Sequence, residues 1–369
     1  MGDDIEWFRA AAAAWLGAHR STAPRDYGAI LPPDLAEESR RWQRTLFEAG
    51  YAGLHWPVEF GGRGLTPDHH GAWIAECATA QVPPFLNMVG CVLTGSALLS
   101  FGTPQQKLEH LRPILTGERI WCQLFSEPDA GSDLASLTTR AELDGDHYVV
   151  DGQKVWCSNG RVADHGILMA RTDPGVADHR GLSFLLLDMH SEGVRCRPLR
   201  QMNGDAEFDE VFLDGARIPV ANLLGEEGQG WAIGMSALTD ERGYVGASGI
   251  ALQRRLDSMA HLGGGGLGSV QCSALVELWT RGHALWTMGR RQGPTASVLG
   301  SVAKLGTTEL MFDVAVLRAE LSGPEAMLDG EVVDSMLTAP GVRIAGGTSQ
   351  VQRNIIGERV LGLPKEPRP

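Results

Sequence analysis

Apolar residues recur at helical spacing through the first third of the chain. Segments such as DLAEESRRWQRTLFEAG (34–50) and FLNMVGCVLTGSALLSFG (85–102) place them three and four residues apart, the period of a helix with one buried face. The stretch LHWPVEFGGRGLTPDHH (54–70) interrupts this period. In GTPQQKLEHLRPILTG (102–117), Thr103 is a candidate N-cap, Pro104 the first helical residue and Gly117 the stop. The texture then changes. AELDGDHYVVDGQKVWCSNG (141–160) carries two Asp-Gly pairs read as turns, GILMAR and GLSFLLLDM are short apolar runs, and EFDEVFLDGARIPVANLLG (207–225) alternates around a third Asp-Gly. After GEEGQG the helical period returns in four long stretches: 231–262, 274–292, 297–317 and 348–362. The expected organisation is an α+β multi-domain chain, with an N-terminal α-helical domain (1–118), a middle antiparallel β-domain (119–225) and a C-terminal four-helix bundle (226–369).

Composition narrows the field. With 369 residues, 43% hydrophobic and 21% charged, the chain reads as an ordinary globular protein of two or three domains. A net charge of −13 argues against nucleic acid or an anionic membrane as main partner, because both require a concentrated basic surface. The six cysteines show no paired spacing and no companion histidine cluster, so neither a disulfide framework nor a metal site is expected. An acidic N-terminus ahead of its apolar run is the reverse of a secretory signal, and a cytoplasmic location is the expectation. The Gly run at 263–266 is the only low-complexity stretch.

Three motifs carry the chemistry: SEPDAGSD at 126–133, DGQKVWCSNG at 151–160 and GGTSQVQRNIIGERVLG at 346–362. Each alone has a plain structural reading: a turn for DAGSD, a core tryptophan at a strand end for Trp156, an N-cap for Thr348 or Ser349. In this order and spacing the chain resembles the acyl-CoA dehydrogenases, enzymes that use FAD to desaturate acyl-CoA thioesters between the α and β carbons. That resemblance implies a flavin pocket with Trp156 as the wall of the ring and Ser158 as the hydroxyl near its edge, where the family usually has Thr. Gln123, Phe125 and Ser126 line the same pocket, and Ser132 lies near the flavin phosphates or the CoA arm. Thr348 and Gln350 match positions that touch the flavin of their own subunit.

The reaction requires a base facing the substrate. Many family members place it as a Glu directly before the Gly-Thr-Ser-Gln run, but here that position is Gly346. A minority carry it on an earlier helix, directly before an arginine, which points to Glu241 in SALTDERGYVG. If that segment is helical, Glu241 has Ala237, Leu238, Tyr244 and Val245 as neighbours, an apolar setting that favours a strong base. The plain alternatives are a surface glutamate or the partner of a structural arginine. Arg242 and Tyr244 are further candidates for substrate contact, Arg242 also for packing or an ion pair, and the acyl pocket is expected to include residues from Leu86 to Val92.

Two motifs that family members offer to a neighbour's flavin are absent. HLGGGGLGSVQC (261–272) has neither the expected arginine nor phenylalanine, and in LRAELSGPEAML (317–328) Glu320, Ser322 and Pro324 replace glutamine and glycines. The resemblance therefore implies a mixed α2β2 heterotetramer with a homologous acyl-CoA dehydrogenase subunit, of the actinobacterial kind acting on bulky, steroid-like acyl-CoAs. Electrons pass to an electron-transfer flavoprotein. A non-catalytic structural subunit and a related flavin oxidase stand as the other readings.

Overall fold

The computed structural model describes residues 4–365 apart from 29, 177, 248, 260–266 and 290–295. Between 239 and 258 and between 289 and 298 several residues are described by backbone alone. The chain divides into two compact units, residues 1–201 with 205–240, and residues 202–204 with 241–369.

The first unit begins with five helices: α1 (Ile5–His19), α2 (Ala36–Glu48), α3 (Pro67–Ala80), α4 (Gly95–Phe101) and α5 (Pro104–Thr116). Local chemistry sets their ends. Asp4 caps α1, and Thr103 and Gln106 close a reciprocal capping box at the start of α5, which Gly117 ends in the left-handed conformation. A π-helical turn over Val89–Thr94 precedes α4. It is braced by buried Asn87, which accepts from the Gly90 amide at 3.0 Å and donates to the Trp121 carbonyl at 2.7 Å.

Eight strands then form one sheet: β1 (Trp121–Leu124), β2 (Arg140–Asp144), β3 (His147–Ser158), β4 (His165–Arg171), β5 (Leu182–Asp188), β6 (Val194–Leu199), β7 (Phe208–Pro219) and β8 (Leu223–Leu224). Their order is β6-β7-β3-β2-β4-β5-β8, with β1 beside β4. The sheet is antiparallel except that β1 runs parallel to β4 and a single parallel pair links β2 to β4. Strands β4 and β5 are buried along nearly their whole length, which explains why they read as continuous apolar runs and not as alternation.

Only the first Asp-Gly, Asp144-Gly145, makes the expected turn, joining β2 to β3. The other two correct the sequence reading. Asp151-Gly152 and Asp214-Gly215 lie inside β3 and β7, facing each other across a register shift, and the Gly215 amide donates to Asp151 Oδ1 at 2.9 Å. They form a bulge, not turns. Gly152 is required there because a Cβ would lie 2.4 Å from Thr139 Oγ1 and 2.8 Å from Thr139 Cα.

After β8 come α6 (Gly230–Ala247), α7 (Gly249–Met259), α8 (Ser269–Gly289), α9 (Ala296–Ser322), α10 (Glu331–Val342) and α11 (Ser349–Ile355). In the second unit Leu256, Met259, Leu310 and Val314 lie at the centre of an apolar core. Helix α10, which the sequence reading passed over, is short and has Pro340 in its last turn, so its period is weak. Among the described residues no helix is long and apolar enough to cross a membrane, and no group of three His, Cys, Asp or Glu is placed to hold a metal.

Candidate functional site

Strand β3 brings most of the motif residues of the first unit together. Toward its end Lys154 and Cys157 are fully buried, while Trp156 points outward with 59% of its surface exposed. Trp156 has φ +59°, one of three positive values at non-glycine residues among the described residues, and sits at a second register shift between Lys154 and Cys157. An aromatic side chain at positive φ is costly, and such strain persists only where the surroundings impose it. The indole lies edge-on to Phe208, with ring centroids 6.0 Å apart. Two residues on, half-buried Ser158 ends the strand. Asn159, also left-handed, turns the chain inward and donates to the Leu31 carbonyl at 2.6 Å.

The SEPDAGSD loop is fastened beside this strand end. The Val155 amide donates to the Ser126 carbonyl at 2.9 Å, and Lys154 Nζ donates to the Phe125 carbonyl at 3.0 Å and to Glu127 Oε1 at 2.9 Å. Phe125 is buried edge-on to Phe184, and Gln123 is half-buried on β1. Glu127, itself buried, also accepts from the Thr138 amide and hydroxyl at 2.7 and 2.8 Å and from the Thr139 amide at 2.8 Å. Burial alone would raise the Glu127 carboxyl, but the Lys154 ammonium and the donors from Thr138 and Thr139 outweigh it and hold the pKa near about 2. Burial pushes the Lys154 ammonium below its usual value, partly offset by Glu127. Ser132 lies exposed in the loop that this pair spans. The sequence reading missed both members of the pair. The available signal was a lysine within an apolar strand, in a chain with only four lysines.

In the second unit the GGTSQ segment is held by α9. Buried Lys304 donates to the Gly347 carbonyl at 2.7 Å and to the Arg343 carbonyl at 3.5 Å. Glu309 accepts from Ser349 Oγ at 2.6 Å and pairs with Arg343 at 2.9 Å and Arg353 at 3.5 Å. The Ser349 hydrogen bond and the two arginines hold the Glu309 carboxyl below its usual range against the effect of burial. Thr348 is the N-cap of α11, accepting from the Val351 amide at 3.1 Å, and Gln350 is exposed on the first turn. Gly346 and Gly347 have φ +63° and +91°. Position 346 thus has a backbone conformation that an L-glutamate would adopt only with strain.

The expected helix around Glu241 is present as α6, which carries Glu241, Arg242 and Tyr244; the side chains of all three lie outside the described residues. In the expected acyl-pocket segment, Leu86 and Val89 are buried and Cys91 and Val92 are half-buried on the π-helical turn. Of the two altered motifs, residues 261–266 lie outside the described residues. At the other, α9 continues through Glu320 to Ser322 and a 3₁₀ turn follows over Gly323–Met327. Arg318 there makes a two-pronged ion pair with Glu331 at 2.8 and 2.9 Å, which Arg255 also approaches at 3.7 Å.

Comparison with known proteins identifies the class. The chain matches the acyl-CoA dehydrogenase N-terminal domain over residues 30–118, the middle domain over 122–215 and the C-terminal domain over 274–361. It belongs to the acyl-CoA dehydrogenase family, whose members are flavin-dependent oxidoreductases. Acyl-CoA dehydrogenase IpdE1 of Mycobacterium tuberculosis is 38% identical over 384 residues, covering 98% of this chain and 99% of the relative. Among solved structures, the ChsE4-ChsE5 complex from Mycobacterium tuberculosis is 28% identical with a TM-score of 0.81, covering 98% of both chains. The Tcur3481-Tcur3483 steroid ACAD is 25% identical with a TM-score of 0.85, again covering 98% of both.

Proposed function

We propose that the chain is a subunit of an FAD-dependent acyl-CoA dehydrogenase that desaturates a bulky acyl-CoA, with Glu241 removing the α-proton. The observation that carries the flavin assignment is Trp156: a large indole held outward at positive φ, with Ser126 and Ser158 at the same strand end. A flat, exposed aromatic face flanked by polar groups suits an isoalloxazine ring. Bound FAD supplies the acceptor for the hydride lost from the β-carbon. On this reading Trp156 covers the ring, while Gln123, Phe125, Ser126 and Ser158 line its pocket. Ser132 faces a phosphate group, and Thr348 and Gln350 lie at the flavin through the N-terminus of α11. Arg242 and Tyr244 lie with Glu241 on the substrate side. Electrons leave to an electron-transfer flavoprotein.

The positive φ of Gly346 supports a base elsewhere than the usual position, and Glu241 directly before Arg242 is the candidate carboxylate. A strong base there requires desolvation, which raises a carboxyl pKa. Glu241→Gln is expected to abolish substrate-driven flavin bleaching while FAD stays bound. Near-normal bleaching would exclude Glu241.

The α2β2 heteromer is supported by the helical, ion-paired end of α9 where the family offers glycines to a neighbour's flavin, and by the relatives named as two-protein complexes. A steroid-like acyl group is suggested by the relative named as a steroid ACAD. Purifying the chain alone and with a co-expressed homologous partner, then measuring bound flavin, tests the assembly. Full flavin occupancy and activity in the lone chain would refute it. The glycine at 346 also leaves a second reading, a non-catalytic subunit completing a partner's site; it predicts that Glu241→Gln leaves the activity of the complex unchanged.

A further inference from the structure

Lys154 and Glu127 are a buried, oppositely charged pair of the first unit that the proposed reaction does not use. Their contacts have a pattern. Lys154 reaches Phe125 and Glu127 on the entering side of the SEPDAGSD loop, and Glu127 reaches Thr138 and Thr139 on its leaving side. One carboxylate therefore pins both ends of the loop carrying Gly131 and Ser132. The ammonium that neutralises it stands two residues before the strained Trp156 bulge, and the Val155 amide bonds back to Ser126. Packing does not require charges here, because a buried ion pair can be replaced by apolar residues of similar volume with little loss of stability. What apolar side chains cannot reproduce is five directional bonds that tie three segments together.

We propose that Glu127 and Lys154 are a positioning pair that holds the loop 128–137 and the Trp156 bulge in mutual register, so that the ring wall and the phosphate-side loop of the flavin site are set by one interaction. The inference rests on the flavin reading for its consequence. Its structural part concerns this chain alone.

The pair would be replaced together, as Lys154→Met with Glu127→Gln, in the purified full-length chain without flavin. Amide hydrogen exchange would be followed along the sequence. The expected result is exchange at least tenfold faster across 126–139 and 155–158, with β4 and β5 unchanged. Unchanged exchange across 126–139 would overturn the proposal. If the double variant does not fold, Glu127→Asp keeps the charge but shortens the reach. It is expected to accelerate exchange at Thr138 and Thr139, and protection equal to wild type there would equally overturn the pair's role.

FAD titration of the same variants, with the co-expressed partner present, reads the consequence. The expected change is at least a tenfold weaker Kd and an altered visible flavin spectrum, with Lys154→Arg restoring part of both. Faster exchange with unchanged FAD affinity and spectrum would overturn the positioning of the flavin site. Failure of wild type and Trp156→Ala alike to bind FAD would instead refute the flavin reading, leaving the exchange result to judge the pair.

Discussion

Gln352 donates from Nε2 to the carbonyl of Gly346 at 3.0 Å, so a buried amide on α11 holds the peptide of the residue where many family members carry their base. With Gly346 at φ +63°, the loop has adopted a path for which glycine is the natural occupant.

Gly346→Glu is therefore expected to destabilise the chain by about 1–2 kcal/mol, the cost of an L-residue in the left-handed region. It should also fail to restore turnover when combined with Glu241→Gln. Urea unfolding measures the first effect and flavin bleaching by substrate the second. Rescue of bleaching would show that the base position at 346 is still usable.

At Trp156 the strain and the exposure pull in opposite directions. Glycine relieves a positive φ worth roughly 1 kcal/mol, and the lost indole was mostly exposed, so Trp156→Gly should leave the stability of the flavin-free chain within about 1 kcal/mol of wild type. Trp156→Val, β-branched at the same φ, should be less stable than the glycine variant. On the flavin reading both should weaken FAD binding severalfold or more. Thermal unfolding without flavin, followed by FAD titration, separates the two effects.

Acid should weaken the first unit in two windows. Burial, then His165 and Arg119, lowers His110 from 6.5 to about 4. Arg119 donates to its Nδ1 at 2.8 Å, which keeps that nitrogen unprotonated. A histidine depressed in the fold is protonated more readily in the unfolded chain, so stability is lost as pH falls from about 6.5 to 4. Glu127, held near about 2 against 4.5, contributes stability that is present above 4.5 and lost as pH falls through 2. Each shift corresponds to something on the order of 3 kcal/mol at its full extent. Urea midpoints between pH 7.5 and 4 should fall for wild type and fall less for His110→Gln.

Lys304→Met removes the donor to the Gly347 carbonyl and leaves that half-buried group without its ammonium partner. The expected loss is about 1–3 kcal/mol. Flavin binding should weaken if Thr348 and Gln350 contact FAD, since the loop before them is no longer held. An unfolding midpoint equal to wild type would show that the loop carbonyls find other donors.

Much of this was legible along the chain because it depends on neighbours in sequence. The capping box of Thr103 and Gln106, the stop at Gly117, the Asp144-Gly145 turn and the apolar runs of β4 and β5 all follow from residues a few positions apart. So do the motifs that place the chain among the acyl-CoA dehydrogenases. The Asp-Gly pairs inside β3 and β7 misled because such a pair suits a bulge as well as a turn, with Gly215 taking the left-handed conformation in the bulge. Which one forms depends on the strand that arrives opposite, and here each pair faces the other.

The sequence by itself determined the order of helical and β regions and the family, and it nominated the residues proposed here to carry the chemistry. Only the tertiary structure decided that Trp156 is held outward at positive φ, that Glu127 and Lys154 share one buried interaction across the loop, and that Gly346 lies in a left-handed turn under Lys304 and Gln352. These depend on burial and, for the two lysines, on partners tens of residues away. Local propensity does not encode such contacts, and desolvation makes them strong once the chain has folded.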